Sequence, residues 1–73
     1  KKGGNLGAIM NAADEEAVRL FLNKKIAFLD IETSVIKAVE GVRFIAEPTL
    51  QDIIESDAAA RRFVKDMWKG AME

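Results

Sequence analysis

Cysteine, histidine and tyrosine are absent from this sequence. Without cysteine the chain can form no disulfide, no thiolate nucleophile and no cysteine-ligated zinc site. Without histidine it lacks both the usual general base near neutral pH and the commonest metal ligand. Acid–base chemistry could therefore use only carboxylates and lysines, and this composition argues against a complete enzyme.

Long apolar runs and a charge excess of either sign are also missing. No apolar run approaches the roughly 20 residues that a membrane-spanning helix needs, so no membrane contact is predicted. The net charge of −1 gives no basic field of the kind on which non-specific nucleic-acid binding depends. We therefore predict no nucleic-acid partner.

What the chain does have is the composition of one small globular domain. Its 73 residues are 49% hydrophobic and 32% charged, unlike a disordered tail. A chain of this length buries only about 60% of the surface that its unfolded form exposes, so its core is thin. The sequence begins with Lys1 rather than Met, and we expect residues 1–73 to be a single domain of a longer protein.

Apolar residues at steps of three and four predict helices along most of the chain. The first helix is predicted over residues 6–23, with Asn5 as its N-cap. Lys24 and Lys25 follow at the negative pole of the helix dipole. The apolar stripe of this helix consists of Leu6, Ile9, Met10, Ala13, Ala17, Leu20 and Phe21.

A second helix is predicted between Asp30, which has the position of an N-cap, and Gly41. Gly41 is expected to end that helix in the left-handed conformation. Residues 42–46 are predicted to be an extended connector, because a lone strand could not satisfy its own backbone hydrogen bonds.

The last third of the chain carries two further capping patterns. Thr49-x-x-Asp52 predicts the start of a short helix through Glu55. Ser56 and Asp57 are expected to cap another helix, which ends near Gly70. The predicted fold is therefore all-α, a small bundle of three to four helices.

Three consecutive acidic residues, Asp14, Glu15 and Glu16, are the first candidates for a metal or acid–base site. Adjacent residues of a helix point about 100° apart, so these carboxylates do not converge on one ion. We interpret them as a solvated helix face, on which Glu15 and Arg19 have the i, i+4 spacing of a surface ion pair.

Two other features allow a ligand but favour a structural role. Gly3, Gly4 and Asn5 could cradle an anion before the first helix, but a tight turn is favoured because the full glycine fingerprint is missing. Trp68 could stack on a ligand, but packing against a neighbouring element, with its N–H on an acceptor, is favoured.

The remaining polar candidates are also expected to be structural. Asn11, between apolar neighbours, is predicted to hydrogen-bond across to another helix or loop. The doublets Lys24 with Lys25 and Arg61 with Arg62 are interspersed with acids and are expected to solubilise or pair. We therefore assign no residue as catalytic, cofactor-binding or metal-binding.

Several linked motifs nevertheless resemble one enzyme family. They are Gly3-Gly4, residues 8–18 (AIMNAADEEAV), 21–22 (FL), 25–31 (KIAFLDI), 48–50 (PTL), 57–58 (DA) and 60–61 (AR), in this order. Together they resemble the C-terminal helical domain of 1-deoxy-D-xylulose 5-phosphate reductoisomerase over nearly the whole chain. The chain departs from that pattern at Asn5, where the family usually has Thr, and at Asp14, where it usually has Asn.

The resemblance implies a parent enzyme with a defined reaction. Enzymes of that family isomerise and reduce 1-deoxy-D-xylulose 5-phosphate with NADPH, and Mg²⁺ or Mn²⁺ binds the oxygens of the substrate. The product, 2-C-methyl-D-erythritol 4-phosphate, lies on the non-mevalonate route to isoprenoids. The resemblance places the cofactor, metal and substrate residues in two upstream domains, and no position here matches them. It also implies a four-helix bundle that packs against the catalytic domain.

The expectations that follow concern partners and location. The partner is expected to be the catalytic domain of the same parent chain, in a parent that is a homo-oligomer. The location is expected to be the bacterial cytoplasm, or the plastid of a plant or alga. The alternative is an independent helical module for protein–protein interaction, unrelated in activity. A small enzyme built on carboxylates is a remote third class.

A domain that packs against a larger catalytic domain is expected to expose an apolar surface when it is isolated. A small core cannot take every apolar side chain, and Val18 and Leu22 lie off the stripe that holds Ile9 and Leu20. We therefore predict a contiguous exposed patch of several hundred Å². Its expected contributors are Leu22, Phe28, Leu29 and Trp68.

Overall fold

The computed structural model describes residues 3–72, with side chains through residue 70. The elements are α1 (Leu6–Leu22), α2 (Leu29–Gly41), α3 (Leu50–Met67) and the single turn α4 (Lys69–Met72). This part of the chain contains no strand, and residues 42–46 form an irregular connector. The predicted all-α bundle of three to four helices is therefore confirmed.

α1 is the central helix of the bundle and packs against both α2 and α3. It runs parallel to α3, because Asn5 at its start meets Ser56 and Glu15 further along meets Arg61. α2 runs antiparallel to α3, since the later residue Gly41 lies at Phe63 and the earlier Ser34 lies at Trp68. The first residues of α3, before Ser56, consequently extend past the start of α1.

Small side chains form most of the core. The buried apolar residues are Ile9, Ala12, Ala13, Ala17, Leu20, Ile26, Ala38, Ala60 and Val64. Alanines where helices cross allow the backbones to approach closely, but they offer little apolar area. Met10 of the predicted stripe is 44% exposed. Apart from Ile9, Leu20 and Ile26, most of the large apolar residues lie at the edge of the core or outside it.

Asn5 has the predicted N-cap position, but its side chain makes no capping hydrogen bond. The amide is fully buried and points away from α1. Its Nδ2 donates to the carbonyl of Arg43 (2.9 Å) and to Oγ of Ser56 (2.8 Å), while its Oδ1 accepts from the backbone N–H of Ile45 (2.8 Å). One side chain thus joins the start of α1 to the connector and to α3.

The turn between α1 and α2 follows the sequence-based expectation at the end of α1 and departs from it at the start of α2. Lys24 adopts a positive φ of 62°, and its N–H and that of Lys25 bond back to the last turn of α1, as in a Schellman motif. α2 begins at Leu29, so the prediction of Asp30 as its N-cap was wrong. The carboxylate of Asp30 instead accepts the N–H of Ala27 (2.9 Å).

Gly41 is the last residue of α2, and its φ is not positive, so the predicted left-handed ending was wrong. Close packing against Phe63 explains why a glycine is required at this position. A Cβ at this position would lie 2.6 Å from Cζ of Phe63, well inside van der Waals contact. The ring of Phe63 therefore packs on the bare backbone where α2 ends.

α3 is one continuous helix, not the two shorter helices that the capping patterns predicted. The capping box of Thr49 and Asp52 is present as predicted, with both reciprocal hydrogen bonds. Ser56 and Asp57 cap nothing, because their side chains have other partners. The hydroxyl of Ser56 accepts from Asn5, and the carboxylate of Asp57 accepts from Arg61.

Replacing the buried amide tests its contribution to stability. Asn5→Ala leaves the N–H of Ile45 and the carbonyl of Arg43 without their side-chain partner, and we expect the free energy of unfolding to fall by about 2–3 kcal/mol. Asn11 is exposed, so Asn11→Ala in the same helix is the matched control and should change it by no more than about 0.5 kcal/mol. Urea unfolding followed by circular dichroism measures both. Equal losses would contradict the assignment.

Two glycine substitutions should shift stability in opposite directions. Gly41→Ala places a methyl group against Phe63, and we expect it to cost about 1–3 kcal/mol. Gly7, in the first turn of α1, has open space where a Cβ would lie, with no heavy atom within 4 Å. Gly7→Ala should therefore raise stability by about 0.5–1 kcal/mol. Thermal unfolding of the two variants measures both effects, and a stabilising Gly41→Ala would refute the packing argument.

Candidate docking surface

The three acidic residues of α1 face three different environments. Asp14 is exposed, Glu15 accepts a hydrogen bond from Nη2 of Arg61 on α3 (2.7 Å), and Glu16 is buried beside Arg19. The expected pair of Glu15 with Arg19 was wrong, because Glu15 reaches across to α3 and Arg19 bonds Glu16. The three carboxylates do not converge.

Among the described residues, Arg61 is the charged group with the most ion-pair partners. Its Nε donates to Asp57 (2.7 Å), and its Nη2 donates to Glu15. The hydrogen bond with Asp57, followed by that with Glu15, raises the pKa of Arg61 above its ordinary value. The hydrogen bond with Glu16 likewise raises the pKa of Arg19. Both guanidinium groups therefore stay charged and serve as ion-pair partners.

The N-terminal turn and Trp68 have structural partners in the fold. Gly4 has a φ of +52°, and a Cβ there would lie 3.1 Å from Cα of Ala46, so the predicted tight turn packs on the connector. Trp68 is half-buried, and its Nε1 donates to Oγ of Ser34 (2.8 Å), which confirms the expected packing. Asn11 is exposed, so its predicted contact across to another element was wrong.

The donor groups present do not fit a metal site. Among the side chains from residue 3 to residue 70, no three histidine, cysteine, aspartate or glutamate residues lie close enough to share an ion. None of the helices over residues 3–72 is long and apolar enough to cross a bilayer.

A shallow apolar hollow lies between α1 and α2. Its volume is about 380 Å³, and its lining consists of Asp14, Phe28, Leu29, Ile31, Glu32 and Val35. We call it the α1–α2 hollow. Phe28 is 67% exposed and Leu29 76% exposed, although both are large and apolar. The ring of Phe28 rests edge-on against Phe21, with centroids 5.6 Å apart, which fixes its direction.

Charge around the hollow has one sign. Asp14 on α1 and Glu32 on α2 are its charged lining residues, and both are acidic and exposed. The apolar floor of such a surface can be buried by apolar side chains of a partner. The acidic rim can orient that partner through basic side chains. The arrangement can therefore bind a protein surface.

Three of the four residues that the sequence predicted for an exposed apolar patch are exposed. Leu22, Phe28 and Leu29 are exposed, as predicted for the patch. Trp68 does not belong to it, because it bonds Ser34 and packs against the core. Leu22 does not line the hollow.

Sequence reasoning missed a second group of exposed apolar residues. Phe44 in the connector is 54% exposed, and Leu50 and Ile54 in the first two turns of α3 are 77% and 53% exposed. The i, i+4 spacing of Leu50 and Ile54 was the only signal in the sequence, and it looked like part of an ordinary amphipathic face.

Comparison with known proteins identifies the family. The family described as DXP reductoisomerase C-terminal domain matches residues 1–63. The chain is 50% identical over 66 residues to 1-deoxy-D-xylulose 5-phosphate reductoisomerase of Bacillus cereus (strain AH187), which is 90% of this chain and 17% of the relative. No solved structure matches this chain.

Two further relatives agree with this result. The reductoisomerase of Geobacillus sp. (strain WCH70) is 48% identical over 92% of this chain and 18% of its own length. That of Synechococcus sp. (strain JA-2-3B'a(2-13)) is 48% identical over 85% of this chain and 16% of its own length. The chain thus spans less than a fifth of these relatives, and it belongs to the family of DXP reductoisomerase C-terminal domains.

Proposed function

We propose that this chain is the non-catalytic C-terminal domain of a 1-deoxy-D-xylulose 5-phosphate reductoisomerase and that it braces the catalytic domain of the same parent chain. The observation that carries the proposal is the α1–α2 hollow. Phe28, held edge-on by Phe21, and its neighbour Leu29 remain exposed on a family member that spans 17% of a relative's length. A partner that covers them removes apolar area from water, at about 25 cal/mol per Å².

The chemistry of the parent belongs to its other domains in this proposal. Reduction with NADPH needs a dinucleotide site, and orientation of the substrate by Mg²⁺ or Mn²⁺ needs several converging oxygen ligands. Glu15 and Glu16 each bond an arginine, and Asp14 lies on the rim of the hollow. The domain consequently supplies an apolar surface and a rigid support, and the catalytic domain supplies the reacting groups.

The acidic rim also gives the partner surface a charge preference. Asp14 and Glu32 flank the apolar floor, so a catalytic domain with lysine or arginine around an apolar projection is complementary to it. Rim charges mainly set the orientation and the rate of association, while the buried apolar centre contributes most of the binding energy. An independent interaction module would use the same hollow for a separate protein.

The isolated chain should show no reductoisomerase activity. We expect no oxidation of NADPH above the blank when the purified chain is mixed with 1-deoxy-D-xylulose 5-phosphate, NADPH and Mn²⁺. Absorbance at the NADPH band measures this, and a helical circular dichroism spectrum shows that the tested chain is folded. The full-length parent enzyme is the positive control. Turnover that persists after repurification would overturn the proposal that the reacting groups lie in the other domains.

A substitution in the hollow should cost more in the parent than in the isolated chain. Leu29→Gln is preferred to Leu29→Asp, because an acid in the first turn of α2 would gain from the helix dipole. In the full-length enzyme we expect a loss of about 1.5–3 kcal/mol, the value of a buried leucine. In the isolated chain we expect a change within about 0.5 kcal/mol, because Leu29 is already in water.

Leu22→Gln is the matched control for this measurement. Leu22 is 70% exposed and does not line the hollow, so both contexts should show only a small change. Thermal and urea unfolding of the two variants and of the unsubstituted protein, each in both contexts, give the comparison. Equal losses for Leu29→Gln in both contexts would place Leu29 in the core of this domain, and a negligible loss in both would leave the hollow without a partner.

A further inference from the structure

The α1–α2 hollow is one part of a longer apolar surface. On α2, Leu29 and Ile36 are two helical turns apart and share one face of the helix, where they are 76% and 48% exposed. On α1, Met10 lies one turn before Asp14 and is 44% exposed. The apolar surface therefore continues past the hollow along both helices. We call the exposed side chains of Met10, Phe28, Leu29 and Ile36 the α1–α2 strip.

The two helices that carry the strip are antiparallel. Phe21, near the end of α1, contacts Phe28, the residue before α2. Met10, in the first half of α1, therefore lies toward the later residues of α2, where Ile36 is found. Leu29 and Ile36 are about 10.5 Å apart along the axis of α2, at a rise of about 1.5 Å per residue. The strip is consequently elongated, and its long direction follows α2.

The walls of the strip are helices, and this decides which backbone a partner can place on it. The backbone N–H and C=O groups inside α1 and α2 are paired within each helix, so they offer no free edge to which an extended segment could add as a strand. An extended segment would also leave its own backbone groups unpaired over apolar side chains. A helix satisfies its backbone internally, and its ridges of side chains fit the groove between two other helices.

Charge around the strip determines the polar side chains that such a helix should carry. Asp14 and Glu32 are exposed, and neither has an ion-pair partner between residues 3 and 70. Glu40, one turn after Ile36 on the same side of α2, adds a third exposed carboxylate. The lining of the hollow contains no lysine or arginine. A partner with basic side chains is therefore complementary in charge, and these side chains would fix its orientation.

We propose that a basic amphipathic α-helix of the catalytic domain lies along the α1–α2 strip. Its apolar face covers Phe28, Leu29 and Ile36. Its lysine or arginine side chains pair with Asp14 and Glu32. The inference rests on the proposed function and specifies which element of the partner occupies the hollow. A helix that covers the strip from Phe28 to Ile36 needs about eight to ten residues, with apolar side chains at positions i, i+3 or i+4, and i+7.

Cysteine labelling in the full-length parent tests the inference, because this chain has no cysteine of its own and any elsewhere in the parent can be replaced by serine. Leu29→Cys and Ile36→Cys are the test variants. Leu22→Cys is the control, since Leu22 is 70% exposed and lies outside the strip. We expect a maleimide to modify positions 29 and 36 at least about tenfold more slowly than position 22. Slow labelling at 29 with fast labelling at 36 overturns only the helix, and fast labelling at 29 overturns the proposed function and the inference together.

Short cross-linkers attached at positions 29 and 36 identify the backbone of the occupant. These positions are about 10.5 Å apart, so the two residues that they reach should be about seven apart in one segment of the catalytic domain if that segment is a helix, and about three apart if it is a strand. A spacing of about seven supports the inference. A spacing of about three, links to unconnected segments, or links to a second copy overturn it.

A charge reversal tests the basic character of the helix. Glu32→Lys, combined with Leu29→Cys, should raise the labelling rate at position 29 by about twofold to fivefold, because a repulsion replaces an attraction at the rim. Glu55→Lys is the matched control, since Glu55 is an exposed glutamate on α3 that does not line the hollow, and it should leave the rate unchanged. Equal rates for the two reversals would overturn the inference. Enzyme activity and circular dichroism verify that each variant is folded.

Discussion

The buried side-chain amide of Asn5 determines how α1, the connector and α3 are joined. Its hydrogen bonds reach Arg43, Ile45 and Ser56, which lie 38 to 51 residues away along the chain. A buried amide is costly unless its donors and acceptor are satisfied, and in this fold they are satisfied only when α1, the connector and α3 have one relative position. The parallel alignment of α1 and α3, the course of residues 43–45 and the offset of the two helices all depend on this arrangement.

The alanine-rich core is the second constraint, and it explains the distribution of the larger side chains. Ala12, Ala13, Ala17, Ala38 and Ala60 allow close helix packing, with little apolar area per residue. Phe28, Leu29, Leu50 and Ile54 consequently remain outside, on surfaces that the three helices cannot close by themselves. Exposed apolar area of this kind is what the proposed contact with the catalytic domain would remove from water.

Polar contacts reinforce the edges of the small core. The buried hydroxyl of Ser34 donates to the carbonyl of Asp30 and accepts a hydrogen bond from the indole N–H of Trp68. Its hydrogen-bonding groups are therefore satisfied, and the end of α3 is anchored on α2. Arg61 bridges Asp57 and Glu15 and connects α3 to α1 near the surface. The contacts of Trp68 with Ser34 and of Arg61 with Glu15 join helices that are distant in sequence, and together they give a thin core a defined geometry.

The sequence by itself determined the helices, because periodicity, the capping box at Thr49 and the glycines before α1 are local signals. Its linked motifs also indicated the family, and its pattern predicted the exposure of Leu22, Phe28 and Leu29. Only the tertiary structure decided where polar and glycine residues act. Asn5 reaches three distant partners instead of capping its own helix, Gly41 makes room for Phe63 instead of turning left-handed, and Ser56 meets Asn5 instead of starting a new helix. Local rules relate a residue to its neighbours in the chain, whereas these side chains are fixed by groups that come close only after the helices have packed.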